Sequence, residues 1–408
     1  LSDGVFHRTQ VETADGPKRN VDGSIYRYNP RTGEFDWFMA HGFANPHGKA
    51  FDRWGNSFIT DATGNVNYYG DAASGHTTDG RKHARLKEFW KRPSRPCPAT
   101  EILSSAHFPE EFQGNFLNAN VISFQGIFRV GVTYEGSGPK GETLEHLVST
   151  DPKDNQHFRP ICMSNGPDGA LYFCDWTQTI IGHLQHHIRD PHRDHQHGRI
   201  YRITYEGRDL ATPPKISGEP INNLLDHLAS PVNGTRLLAK IELDTRPTEN
   251  VIAAAAERLK RPSLSEHEKM ELLWLHQWHN VVNEALLDTV LASPTPEARA
   301  AAGRVLCYWR KRVSNPLDKL HALCTDDHPR VRLEGIRMAS FYSGEEAVQA
   351  TNAALASLAH PTDDYLDYIL KETMQQLETW WRPALVEGRI APNNLPGATY
   401  LLTTVNNR

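Results

Sequence analysis

The densest chemistry in the chain lies between His183 and His197, where six histidines, two arginines and two aspartates crowd one stretch. His183, His186 and His187 are spaced i, i+3 and i+4, so on a helical turn their imidazoles share a face, as ligands to a transition metal would. Asp190, Asp194, His195 and His197 could complete such a site. The competing reading is a hydrogen-bonded loop in which Arg189, Arg193 and the aspartates pair among themselves.

Just upstream, Asn165–Gly169 has turn chemistry, and the apolar run Ala170–Cys174 ends on Asp175, which reads as a buried strand reaching a polar rim. Asn45–Asp61 repeats this pattern: strand, turn glycine, strand, aspartate, polar loop. Gly55 and Gly169 align the two copies, 114 residues apart. Asp61 and Asp175 close equivalent strands, where they either coordinate a hard cation such as calcium or cap the next loop by accepting backbone N–H groups. His47 and His157 enter the first strands and suit general bases, since imidazole titrates near working pH. Arg159 could orient an anion. Asn67 and Tyr69, within Asn67–Asp71, offer amide and aromatic surface of the kind that binds sugar. Each of these has a plain alternative as a rim residue bonded to its neighbours.

The elements that must position these groups are short strands. Gly23–Phe38 reads as a hairpin, Gly114–Tyr134 as a strand pair and Gly198–Tyr205 as a last strand. Short strands, regular turns and a repeat of about 50 to 60 residues predict a β-propeller, with two blade steps between the two copies. About four blades fit before residue 211. The abrupt start at Leu1 favours the C-terminal part of a larger ring over a small closed one. In such a blade the segments entering the first strand and leaving the second meet on one face, which would gather His47, Asp61, His157, Arg159 and the loop after Asp175 at one rim.

Composition shifts at Ala211–Lys215, and helical periodicity follows over Glu266–Ser293, Pro296–Arg312, Pro329–Tyr342 and Thr362–Trp381. Proline starts recur at Pro296, Pro329 and Pro361, and Asp327-His328-Pro329-Arg330-Val331-Arg332 resembles the start of a HEAT-repeat helix, in which an arginine ties neighbouring repeats together. The expected domains are a β-propeller over 1–210, a linker over 211–229 and an all-α HEAT/armadillo-like solenoid over 230–408.

A net charge of -5 without long charged blocks argues against a nucleic-acid footprint, and no apolar run approaches a membrane span. The five cysteines form no CxxC or CxxCH, so neither a zinc ribbon nor a c-type haem attachment is encoded. Cys162 and Cys174 should face each other across one hairpin as buried thiols.

His157-Phe158-Arg159-Pro160, Asn165-Gly166-Pro167-Asp168-Gly169, Asp175-Trp176 and Ile180–Arg202 together resemble the large planctomycete proteins named membrane-bound dehydrogenases, as do Asn45-Pro46-His47-Gly48 and Thr60-Asp61-Ala62. That resemblance implies a six-bladed propeller like those of soluble quinoprotein glucose and sorbosone dehydrogenases, followed by HEAT-like helices. It implies a periplasmic or extracellular sugar or alcohol dehydrogenase using pyrroloquinoline quinone and calcium. His47 or His157 would then be the base, and Arg159, Asn67, Tyr69, Trp176, Arg189 and Arg193 would touch the cofactor. A haem protein or another polypeptide would take the electrons, since no CxxCH occurs in this sequence and the family's haem domain is lost, cleaved away or beyond this segment. Two other classes stay open: a non-catalytic glycan- or metal-binding propeller whose solenoid docks a protein partner, and a metal-dependent carbohydrate lyase or hydrolase.

Overall fold

The protein is described by a computed structural model, covering residues 1–14, 16–78, 81–91, 93–151, 153, 155, 157–178 and 189–405. Its first half is built of open antiparallel sheets. The opening strands are β1 (Ser2–Asp3), β2 (Arg8–Val11), β3 (Lys18–Val21), β4 (Ser24–Tyr28) and β5 (Phe35–Met39), paired as β1-β4-β5 and β2-β3. A second three-stranded sheet holds β6 (Pro46–Phe51), β7 (Ser57–Asp61) and β8 (Val66–Tyr69). The middle sheet comprises β9 (Ala99–Ile102), β10 (Phe116–Val121), β11 (Gln125–Glu135), β12 (Gly138–Thr143) and β13 (Val148–Thr150). The last is β14 (Pro160–Asn165), β15 (Leu171–Asp175) and β16 (Arg199–Ile203). Among the described residues the sheets close into neither a barrel nor a ring.

Apolar side chains on alternate positions stack these sheets face to face in chain order. Ala50 and Phe58 meet Ile102, Phe116, Phe128 and Val130 of the middle sheet, whose Leu117, Ala119 and Ile127 pack in turn on Met163, Leu171 and Phe173. The first strands β6, β9 and β14 therefore lie side by side. Gly48 has no room for a side chain, because a Cβ there would come within 2.3 Å of Thr100 Oγ1. Asn165 Nδ2 donates to the Ile102 carbonyl at 2.9 Å, closing the same contact on the other side. Gly55, Gly114 and Gly169 each turn the chain from first to second strand with φ near +70° to +80°, a conformation that favours glycine. The repeat thus has a third, middle copy.

The second half is helical: α1 (Ile221–His227), α2 (Asn233–Asp244), α3 (Thr248–Leu259), α4 (Glu266–Trp278), α5 (Glu284–Leu291), α6 (Pro296–Trp309), α7 (Pro316–Cys324), α8 (Pro329–Ala339), α9 (Gly344–Ala356), α10 (Asp364–Gln376), α11 (Glu378–Val386) and α12 (Leu395–Tyr400). Helix α1 lies inside the stretch expected to be linker. The expected Glu266–Ser293 helix is two, because Asn280 adopts φ +57 and the Asn283 side chain caps a new start by accepting from Leu286 N. The arginine tie is present three times over. Arg236, Arg299 and Arg332 each donate through Nη1 to the carbonyl six residues back, at Ser230, Ser293 and Asp326, at 2.7 to 2.8 Å. Arg332 also reaches forward to the Pro361 carbonyl at 2.9 Å.

Sheets and helices share one continuous core, in which Ile25, Met39, Phe43, Ile59 and Tyr68 cluster with the helical leucines and alanines. A buried ionic seam stitches them. Arg304 of α6 binds Asp71 at 2.6 Å, Glu334 at 3.3 Å and the Trp54 carbonyl at 2.7 Å, while Arg337 of α8 reaches the Ser74 carbonyl at 3.1 Å. Glu372 of α10 takes Arg81 at 2.7 Å and His83 at 2.9 Å. The Arg304–Asp71 contact falls at the Phe51/Ser57/Tyr69 end of the second sheet, where Asp71 accepts from Ser57 N at 2.8 Å, opposite the end that holds Pro46 and Asp61.

Candidate functional site at the upper rim

Three prolines start or precede the first strands: Pro46 on β6, Pro98 before β9 and Pro160 on β14. Proline needs no ladder donor at a strand's first residue, so it marks the rim. Pro46 pairs with Asp61 and Pro160 with Asp175, which puts both acids at that rim. Asp61 accepts from Ala44 N at 2.8 Å and Asn45 N at 3.1 Å. Asp175 accepts from Arg159 N at 2.7 Å and Thr177 N at 2.8 Å through one oxygen. In both copies the aspartate ending the second strand clamps the backbone entering the first. The middle copy carries Asn120 at this position, six residues beyond its turn glycine as Asp61 and Asp175 are beyond theirs. Asn120 is fully buried; Ser94 Oγ donates to its Oδ1 at 3.3 Å and its Nδ2 has no partner among the described residues.

The last sheet carries a cationic cluster at this rim. Arg159 is only 6% exposed, with Nη1 donating to the Phe158 carbonyl at 3.3 Å and Nε without a partner among the described residues, and burial lowers the pKa of its guanidinium. Arg199 donates to Asp175 Oδ2 and to Thr177 Oγ1, both at 3.4 Å. Trp176 is partly exposed, and the Arg193 guanidinium stands 6.0 Å from its ring. Gln178 holds the loop beneath by donating to the Asp194 carbonyl at 2.6 Å. Arg159 and Arg199 thus flank one buried carboxylate, Asp175, while Arg193 stands by the neighbouring open indole of Trp176.

The other expected residues fall in different settings. His47 is exposed, and its Nδ1 bonds the Pro98 carbonyl at 3.0 Å. A carbonyl can only accept, so Nδ1 carries a proton and donates, and Nε2 is the ring nitrogen left facing other partners. His157 is exposed on the approach to β14, where its backbone N–H donates to Asn155 Oδ1 at 3.2 Å. Asp190 accepts from His192 Nδ1 at 2.9 Å, and Asp194 from the Gln196 and His197 amides at 2.9 and 3.1 Å, which hold its carboxyl below the usual range. Arg189 and His195 are exposed. His183, His186 and His187 lie outside the described residues. Among the described residues no group of three or more His, Cys, Asp or Glu side chains comes together as a metal ion would require.

Two expectations need correction. Asn67 and Tyr69 are not surface: both are fully buried, Asn67 bonded to Thr60 Oγ1 at 2.8 Å and Tyr69 packed edge-on against Tyr365 of α10. Neighbouring sheet and loop residues, Asn65, Trp90 and Asn118, enclose Asn67, and helix α10 covers Tyr69. Cys162 and Cys174 do face each other across the β14–β15 hairpin, but Cys162 is exposed and Cys174 half-buried.

Arg199, Gln178 and Asn120 were not anticipated. Gly114, six residues before Asn120, was the available signal, and aligning it with Gly55 and Gly169 finds the third rim position. Two cavities lie at the other end of the sheets. One of about 650 Å³ borders Ser104, Phe108 and Tyr134, and one of about 460 Å³ runs from Lys49, Glu101 and Ser164 to Lys240 and Trp274. Burial pushes Glu101 up to about 7, so it titrates near neutral pH.

A family model described as a domain of unknown function (DUF7133) matches residues 96–207, spanning the middle and last sheets, and a model for HEAT repeats matches residues 283–371. No curated protein and no solved structure matches the chain. No helix among the described residues is long and apolar enough to cross a membrane.

Proposed function

We propose that the sheet-rich half is an arc of a β-propeller, with β6, β9 and β14 as innermost strands of successive blades, and that its upper rim binds a small anionic ligand. The observation that carries this reading is Arg159, a nearly buried guanidinium whose Nε has no partner among the described residues, beside Asp175 and near Trp176. A buried donor without an acceptor costs about 1–3 kcal/mol, which an incoming carboxylate would relieve. Arg193 and Arg199 add charge, and Trp176 offers a face to an aromatic or apolar part of the ligand. The helices act as scaffold. A calorimetric panel of carboxylated compounds and neutral sugars tests the reading: carboxylated compounds should bind and neutral sugars should not, and Arg199→Ala should weaken binding several-fold. Equal binding of neutral sugars would reject it.

A second reading, a quinone-dependent dehydrogenase of sugars or alcohols, is favoured by His47. Its fixed tautomer leaves Nε2 able to take a hydroxyl proton, at the same end of the sheets as Arg159. Pyrroloquinoline quinone, a tricarboxylate, fits the arginine cluster and would supply the hydride acceptor. Calcium does not fit at Asp61 and Asp175, because their oxygens already take backbone amides and Arg199 where a calcium ion needs six to eight open oxygens. Dye reduction by protein supplied with the quinone and a panel of sugars separates the readings, since turnover belongs to the second alone. Zinc, iron or manganese found at one per chain would instead favour metal-dependent carbohydrate chemistry at the His183–His197 loop.

A further inference from the structure

Five cysteines are present and all are unpaired, but they fall into two classes. Cys97, Cys307 and Cys324 are buried, and burial raises each thiol's pKa, which keeps it protonated and inert. Cys162 and Cys174 are the accessible pair. They are direct partners in the β14–β15 register, so both side chains project from the same face. The flanking partners Met163 and Phe173 turn to the opposite face and into the core. Ile200 of β16, the next residue across on the cysteine face, is 77% exposed, so that face is open beside the pair among the described residues.

The turn fixes which kind of pair this is. Gly166 N donates to the Ala170 carbonyl at 2.7 Å, making 166 and 170 a hydrogen-bonded position. Counting back along the unbroken register, 164 with 172 and 162 with 174 have the same character. At such positions Cα atoms stand about 5.5 Å apart, inside the range of about 4.4–6.8 Å that a disulfide can bridge. Cβ atoms at such positions stand about 4.5–5.5 Å apart, wider than the roughly 3.8 Å mean of relaxed disulfides, so a bond here is strained, needs an oxidant to hold it and is reduced readily.

We propose that Cys162 and Cys174 form a reversible dithiol–disulfide site on the open face of the last sheet, oxidised by small disulfides of the glutathione type. The exposed Cys162 thiolate attacks one sulfur of oxidised glutathione, forming a mixed disulfide and releasing one glutathione thiolate. The Cys174 thiolate then attacks Cys162 Sγ, the Cys162–Cys174 bond forms and the second glutathione thiolate leaves. The pair gives up two electrons and two protons, and one glutathione disulfide becomes two glutathiones.

The test is thiol counting and peptide mass mapping on the full, native chain equilibrated with reduced and then oxidised glutathione. The expected result is two accessible thiols in the reduced protein and none after oxidation, a Cys162–Cys174 cross-link in the peptide map, and full return with excess reduced glutathione. Cys174→Ser should stop the reaction at a stable glutathione adduct on Cys162, a readout independent of any ligand at the rim. A persistent adduct on the unaltered chain, a disulfide between two chains, or thiols that do not react at all would overturn the proposal.

Discussion

Asp175 illustrates how a residue can look catalytic in sequence and be architectural in space. An acid ending an apolar strand before a histidine-rich loop suggests a metal ligand, yet Asp175 spends one oxygen on the amides of Arg159 and Thr177. It thereby steadies Thr177 at φ +54, a backbone region that a β-branched residue rarely adopts. Asp175→Asn keeps an acceptor and should cost about 1 kcal/mol, whereas Asp175→Ala leaves two amides unpaired and should cost about 2–4 kcal/mol in denaturant unfolding. Equal losses would show that charge, not hydrogen bonding, is what the position supplies. The sequence allowed both roles for Asp61 and Asp175, and nothing in it could choose, because the amides they accept lie 16 and 17 residues upstream or on the next turn. Histidine was harder still: His47 owes its tautomer to the carbonyl of Pro98, 51 residues away.

Among the elements, the strand–turn–strand unit was the most legible, because alternation and turn glycines are local properties. The hairpin at Gly23–Phe38 became β4 and β5, and the repeat at Gly55 and Gly169 became two stacked sheets. The middle copy escaped notice because Asn120 replaces the aspartate that marked the others. Its glycine differs in setting as well. A Cβ on Gly114 would meet nothing within 4 Å, while one on Gly169 would come within 2.8 Å of the His107 backbone. Gly114→Ala should therefore cost about 1 kcal/mol from backbone conformation alone, and Gly169→Ala several times that. Thermal unfolding of the two variants compares them directly, and similar losses would mean that the loop around His107 gives way. In the helices, the proline starts were visible but the arginine ties only in part, since Arg236 and Arg299 follow Ser-Pro rather than the Asp-His-Pro that drew attention to Arg332.

At the scale of the whole molecule, the joint between sheets and helices was illegible in sequence: its partners lie more than 200 residues apart, and each alone reads as an ordinary surface charge. Arg304→Ala should cost about 3–5 kcal/mol, because it strands Asp71 and Glu334 without their shared cation in a buried site. The joint should also be acid-sensitive. Burial pushes the His41 and His267 imidazoles down to about 4, below the ordinary 6.5, so the unfolded chain takes up these protons first. Stability should be complete above about pH 6.5 and fall by up to about 3 kcal/mol per histidine as the pH drops toward 4. Glu372 adds a later loss: burial alone would raise it, but His83 and Arg81 hold it below the usual carboxylate range, so its contribution disappears as pH falls through that lowered value. His41→Leu should flatten the first part of this profile, and an unchanged slope would assign it elsewhere.

The claim that the upper rim is an anion site is tested most directly by titrating pyrroloquinoline quinone, an aromatic tricarboxylate, into the intact protein and into Arg159→Ala by calorimetry. The account predicts saturable one-to-one binding that weakens with salt and drops at least about tenfold, or about 1.4 kcal/mol, in the variant. Identical affinity in both proteins, or no binding to either, would contradict it.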